Sequence, residues 1–254
     1  MKDWFKRLFS SEQKTPTGEV AIPASVQPFL RTCWTPMTSP EEGSAHGSKF
    51  CGAALIPRGQ SWPVCGNCSQ PLHLFVQLRS SDLPPDADAF GEGILQFFYC
   101  TSSEPPCEVD AEAWAPFGKS SLARILPLSA AASAEPGRAP DGAFSGRQIM
   151  GWQPMMDMPN SEELSGMGVV LNDAEAERLS EADMPHGGDK LLGWPAWIQG
   201  VEYPTCSICA STMKLIVQID SEDNVPYMFG DVGCGHLFQC RQHPQVLGFA
   251  WACS

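Results

Sequence analysis

One passage occurs twice in this chain, and that constrains its fold more than any other feature. Segment 49–78 (KFCGAALIPRGQSWPVCGNCSQPLHLFVQL) aligns without gaps onto 190–219 (KLLGWPAWIQGVEYPTCSICASTMKLIVQI) at an offset of 141, with nine of thirty positions identical. The identities include Lys49/Lys190, Gly52/Gly193, Pro63/Pro204, Cys65/Cys206, Cys68/Cys209, Val76/Val217 and Gln77/Gln218. Downstream, FGEGILQFFYC ending at Cys100 resembles FGDVGCGHLFQC ending at Cys240. Self-similarity of this kind implies one structural unit built twice. The expected fold is α+β, mostly β: internally duplicated β-rich units related by a pseudo-twofold, with irregular loop and short-helix insertions. Repeat 1 spans 49–100, an insertion 101–189 and repeat 2 190–254. Residues 1–48 form an N-terminal short helix and extended segment outside the repeated domain.

Leu72–Leu78, Met213–Ile219, Ile94–Tyr99 and His236–Gln239 read as strands, being short apolar runs rich in branched and aromatic residues beside Gly-containing turns. Residues 101–146 read mostly as loop or edge, with Glu104-Pro105-Pro106 and an Ala/Ser/Pro/Gly stretch at 129–140. The helical signal lies in 161–183, where Asn172 or Asp173 can cap NDAEAERLSEAD. A short amphipathic helix over 2–10 carries Trp4, Phe5, Leu8 and Phe9, and a polar tether follows at 11–20. With 23 Gly and 23 Pro, long helices are not expected.

Twenty-nine acidic against sixteen basic side chains leave a formal charge of −13. Such a field repels nucleic-acid phosphates and anionic lipid and attracts basic proteins. The excess is densest between the repeats: 157–189 holds nine acidic side chains and one basic one, Arg178. Two readings stand side by side, a solvated helix and loop without a partner, or an electrostatic platform for a basic protein. On the second, the contact residues are Met155, Met156, Glu162, Glu163, Asp173, Glu175, Glu177, Glu181 and Asp183, the methionines supplying an adaptable apolar anchor. Met150, Trp152 and Met158 lie in the same stretch. The basic N-terminus lacks the apolar run of a secretory signal, so a cytoplasmic location is expected.

Eleven cysteines include Cys65-x-x-Cys68 and Cys206-x-x-Cys209, spacings that let two thiolates converge on one tetrahedral ion. The readings are a structural zinc shared by Cys65, Cys68, Cys206 and Cys209, reduced thiols on buried turns, or disulfide and redox chemistry. Since 137 residues separate the pairs, a shared site requires the pseudo-twofold to bring them together. A closed four-thiolate site leaves no open coordination position for catalysis. Cys234 and His236 could face one way on a strand as nucleophile and base, or be incidental to a glycine-rich turn. Gln77 and Gln218 suggest hydrogen bonds across the pseudo-twofold, and Trp62, Trp194 and Trp197 suggest core and turn anchors. The GxSxG, P-loop and GxGxxG patterns are not found.

The succession KLLGWPAWIQ, CSIC, MKLIVQID, FGDVGCGHLFQC and terminal WACS resembles the YwqG-like family, a bacterial domain of unknown function, over roughly 49–254. It is distantly similar to the C-terminal domain of the programmed-cell-death chaperone family, which shares a Lys-x-x-Gly-Trp-Pro opening and paired cysteines. The first resemblance implies a pseudo-twofold β-rich fold and no established reaction. Some members resemble immunity proteins paired with nuclease effectors of type VI secretion, and the second resemblance implies shielding of a basic ribosomal protein. The expectation is a non-catalytic cytoplasmic immunity protein that occludes a basic toxin such as a DNase, without binding nucleic acid or membrane directly. The alternatives are an enzyme using the cysteine-rich turns, or an acidic chaperone for a basic protein. A structural zinc is the cofactor these residues allow.

Overall fold

The computed structural model describes residues 22–103, 107, 113–180, 182 and 184–254. The helix expected at 2–10, its tether at 11–20, and the candidate contact residues Glu181 and Asp183 lie outside the described residues.

In chain order the strands are β1 (Arg31–Ser39), β2 (Lys49–Phe50), β3 (Leu55–Ile56), β4 (His73–Arg79), β5 (Ile94–Tyr99), β6 (Ser121–Leu126), β7 (Glu135–Pro136), β8 (Arg147–Asp157), β9 (Lys190–Leu192), β10 (Lys214–Asp220), β11 (Cys234–Gln239) and β12 (Leu247–Ala252). Three short helices accompany them: α1 (Leu128–Ala132), α2 (Ser161–Gly166) and α3 (Asp173–Ser180). Ten strands form one antiparallel sheet in the order β12-β11-β10-β9-β1-β8-β2-β4-β5-β6, and β3 pairs with β7. The sheet is nearly closed, because its edge strands β6 and β12 approach each other.

The branched and aromatic runs form the strands read from the sequence. HLFVQLR and KLIVQID carry the same burial pattern, and each ladder slips at the matching place, between Leu74 and Val76 in β4 and between Leu215 and Val217 in β10. Curling of the sheet brings the aromatic rows together. Phe97 lies 4.2 Å from Phe249, Phe75 6.0 Å from Phe229, and the Trp251 indole N–H donates to the Tyr99 hydroxyl (2.7 Å). Each such ring stabilises the fold by about 1.5–3 kcal/mol when fully buried, and edge-on contacts add to this.

Two expectations are corrected. Strand β1 comes from the segment placed outside the repeated domain, yet it sits mid-sheet, paired with β8 along its whole length and with β9. The insertion 101–189 is less irregular than expected, since it contributes β6, laddered on β5, and the eleven-residue β8. The helical signal over 161–183 is borne out as two helices, α2 and α3, divided where Gly168 follows α2 in a left-handed conformation (φ +82°) and stops it.

The repeated Lys and Gly positions clamp a carboxylate. Glu42 Oε1 accepts from Lys49 Nζ (3.1 Å) and the Ala53 N–H (2.7 Å), and Asp157 Oδ2 accepts from Lys190 Nζ (3.0 Å) and the Trp194 N–H (2.8 Å). Gly52 and Gly193 are left-handed (φ +75° and +77°), and a Cβ at either would collide with that carboxylate. The repeated glutamines do not bond across the molecule as expected. Gln77 Oε1 accepts from the Leu55 N–H while its amide donates to Ala45 O and Gly47 O. Gln218 Oε1 accepts from the Ala196 N–H and its amide donates to His186 O and Gly188 O. Each buried amide thus pins its own neighbouring loops, where the unpaired backbone groups are.

Candidate metal centres and acidic surface

Each CxxC sits on a tight turn closed by an isolated bridge, Val64 to Pro71 and Thr205 to Thr212. Cys65 N–H donates to Gln70 O and Ser69 N–H to Cys65 O, and Cys206 N–H donates to Ser211 O and Ala210 N–H to Cys206 O. Ser69 and Ala210 are left-handed (φ 61° and 56°), a conformation that costs a non-glycine residue about 1–2 kcal/mol. The backbone N–H groups of Asn67 and Ile208 point at Cys65 Sγ and Cys206 Sγ, 3.4 Å each.

The two turns do not meet. The shared four-cysteine centre is corrected to two separate quartets: Cys65, Cys68, Cys100 and Cys107, and Cys206, Cys209, Cys240 and His243, each with its ligand atoms within 4.8 Å of one another. The third ligand follows a strand end, Cys100 after β5 and Cys240 after β11, which the downstream match in the sequence already aligned. The fourth, Cys107 or His243, lies in the loop beyond and carries no repeat signal. Sequence reasoning missed it for that reason.

All four thiols of the first quartet and all three of the second are free. Packing pushes neighbouring thiols apart in acidity. In the second quartet hydrogen bonds from Ser211, with smaller help from Cys240 and Cys206, pull Cys209 down to about 6 while burial raises Cys240, and in the first quartet burial raises Cys107 to about 12. Several thiolates cannot ionise together at this spacing without a cation among them.

Cys234 and His236 also come together, Sγ to Nε2 3.7 Å, inside β11. Burial raises the Cys234 thiol and lowers His236 to about 3, so both are neutral. An activated nucleophile needs the opposite pair of shifts.

The acidic candidates divide. Glu162, Asp173 and Glu177 are exposed, and Glu175 is partly exposed. Glu175 is engaged in a capping box with Asn172: its N–H donates to Asn172 Oδ1 and its carboxylate accepts from the Asn172 N–H, 3.0 Å each. Glu163 is buried, not presented. It accepts from the Trp197 indole and the Tyr203 hydroxyl, and desolvation raises its pKa. Met156 is 55% exposed and Met150 64%, Met155 is partly covered, and Met158 is buried with Leu164 and Leu179 beneath α2 and α3. Trp194 is buried, and Trp62 and Trp197 are partly buried with their indole N–H groups bonded, as anchors should be. A cleft of about 1460 Å³ that also reaches Glu163 is lined by Arg31, Arg124, Lys214 and Arg241 together with Asp86, Asp88 and Glu92, so its charge is mixed. Among the described residues, no helix is long and apolar enough to cross a membrane.

The family described as Domain of unknown function (DUF1963) matches residues 48–243. The protein belongs to this family. Both quartets, β8 and the acidic helices fall inside the DUF1963 match, whereas β1 and β12 of the same sheet lie outside it. An uncharacterized protein of Salmonella typhimurium, YpfL, is 43% identical over 44 residues, which is 17% of this chain and 10% of the relative. The matched stretch therefore spans a tenth of that relative's length.

Proposed function

We propose that this protein is a non-catalytic cytoplasmic binding protein that acts as an immunity protein, covering the cleft of a basic nuclease toxin with an acidic surface. The observation that carries the reading is the junction of β8 with the acidic helices. Exposed Met150 and Met156 lie on β8, and Met158 just past its end packs with Leu164 of α2 and Leu179 of α3, the helices that carry the exposed Glu162, Asp173 and Glu177. Affinity then comes from the methionines and partner selection from the charge. A toxin that must hold phosphate has a positive cleft, and this surface competes for it. The resemblance to the YwqG-like family, some members of which resemble immunity proteins, supports the same reading. The β scaffold is read as a duplicated unit stiffened by structural zinc, because the lysine and glycine of each carboxylate clamp, the glutamine bonds and the cysteine turns recur at the offset of 141.

The test is coexpression with the nuclease effector encoded in the adjacent reading frame. The expected result is a stable complex in which nuclease activity is lost, and survival of cells that the effector alone kills. Survival equal to that with an empty vector, or an adjacent frame that encodes no such effector, overturns the reading.

A further inference from the structure

We infer that the chain holds two separate mononuclear zinc ions, one in Cys65/Cys68/Cys100/Cys107 and one in Cys206/Cys209/Cys240/His243, each tying a turn before β4 or β10 to the exit of β5 or β11. This stands independently of the partner reading.

The spacing of the ligand atoms is the first argument. Four sulfurs about 2.3 Å from a tetrahedral zinc stand about 3.8 Å apart, and a sulfur and an imidazole nitrogen about 3.6 Å. Cys65 and Cys107 are 3.7 Å apart, Cys68 and Cys100 3.6 Å, and Cys209 and Cys240 3.7 Å. His243 Nδ1 is 3.7 Å from Cys206 Sγ and 3.8 Å from Cys240 Sγ. A disulfide would bring two sulfurs to about 2.05 Å. An iron–sulfur cluster would spread the ligands over several irons, beyond the 4.8 Å that contains each quartet.

The turns are also shaped for thiolates. In each CxxC the first sulfur accepts a backbone N–H, as does Cys240 from His243 (3.4 Å), which favours negative sulfur. The left-handed Ser69 and Ala210 persist where the surrounding structure holds them, and an ion linking the turn to the strand exit does so. Four thiolates in one site and three with an imidazole in the other suit zinc and exclude hard cations such as magnesium and calcium. All four positions are filled by protein in both sites, so each zinc is structural, and on binding the thiols release their protons to solvent.

Metal analysis and native mass spectrometry of the full chain, purified without chelator, should give two zinc ions per protein. Cys65→Ser/Cys68→Ser and Cys206→Ser/Cys209→Ser should each retain one. Should those variants fail to fold, His243→Cys keeps four ligands: it should still bind two ions, and with cobalt(II) as probe its visible absorption should move to longer wavelength as nitrogen is replaced by sulfur. One zinc per chain, no zinc, iron in its place, or an unchanged cobalt spectrum in His243→Cys would each overturn the assignment.

Discussion

Asp157 and Glu42 do the same work at different depths. Asp157 and Lys190 are both fully buried, and Asp157 also accepts the Met158 and His186 N–H groups, whereas Glu42 is 45% exposed above a buried Lys49. Removing one partner of a buried pair leaves an uncompensated charge, so Asp157→Ala should cost about 3–5 kcal/mol. Water reaches the other pair, and Glu42→Ala should cost about 1–3 kcal/mol. Urea denaturation of the two variants measures both, and equal losses would refute the distinction. The lysines and glycines of these clamps were legible as identities between the repeats. Their carboxylates were not, because Glu42 and Asp157 precede the aligned segments at unequal distances and meet the lysines only in the fold.

A second residue-scale asymmetry concerns Ser48 and Asp189, which occupy matching positions. Ser48 Oγ donates to Asp82 Oδ2 and accepts from the Arg79 N–H. Asp189 accepts from the Asp220 and Asn224 N–H groups, and its own N–H donates to Asp223. Burial, reinforced by the Asp223 carboxylate, raises Asp189 to about 7 from its ordinary 3.8. The folded state therefore holds a proton that the unfolded chain has lost between pH 4 and 7, and this contribution to stability is greatest below pH 4 and lost as pH rises through 7. His236 has the opposite slope. Burial lowers it to about 3, so it opposes folding as pH falls below its ordinary 6.5. Asp189→Ser removes this slope while the other groups, His236 among them, keep theirs, so the difference in unfolding free energy between wild type and variant should shrink as pH rises from 4 to 7. A pH-independent difference would contradict the assignment.

At the scale of elements, the strands inside the repeats were readable because packing on both faces selects Val, Ile, Leu and Phe. Strands β1 and β8 were not. RTCWTPMTS and RQIMGWQPMMD contain Pro36, Gly151 and Pro154, which ordinarily argue against a central strand. They are extended because each has the other as partner from Arg31 opposite Asp157 to Ser39 opposite Gln148, with a bulge at Met150, opposite the Met37/Thr38 step, absorbing the irregularity. The cap at Asn172 was legible because a side-chain acceptor three residues before Glu175 is a local signal. Asn172→Ala should cost about 1 kcal/mol at α3. Amide exchange should accelerate across Asp173–Ser180 while β4, β5, β10 and β11 keep their protection. Uniform acceleration over the sheet would mean that α3 is part of the cooperative core.

For the whole molecule, the formal charge of −13 was plain in the sequence, but which carboxylates face a partner was not, since burial removes Glu163 and capping engages Glu175. Glu162 and Glu177, both exposed, are therefore the residues to reverse. Steering by exposed charge acts on encounter and is screened over about 8–10 Å near physiological salt, so the association rate carries the signature more than the dissociation rate does. The most direct measurement is stopped-flow association of the purified protein with the basic effector across ionic strength, for wild type and Glu162→Lys/Glu177→Lys. The predicted result is a wild-type rate that falls steeply with salt and a variant that is roughly tenfold slower at low salt, the two converging at high salt with the fold of the variant intact. Equal rates for both proteins, insensitive to salt, would contradict the acidic surface as the recognition element.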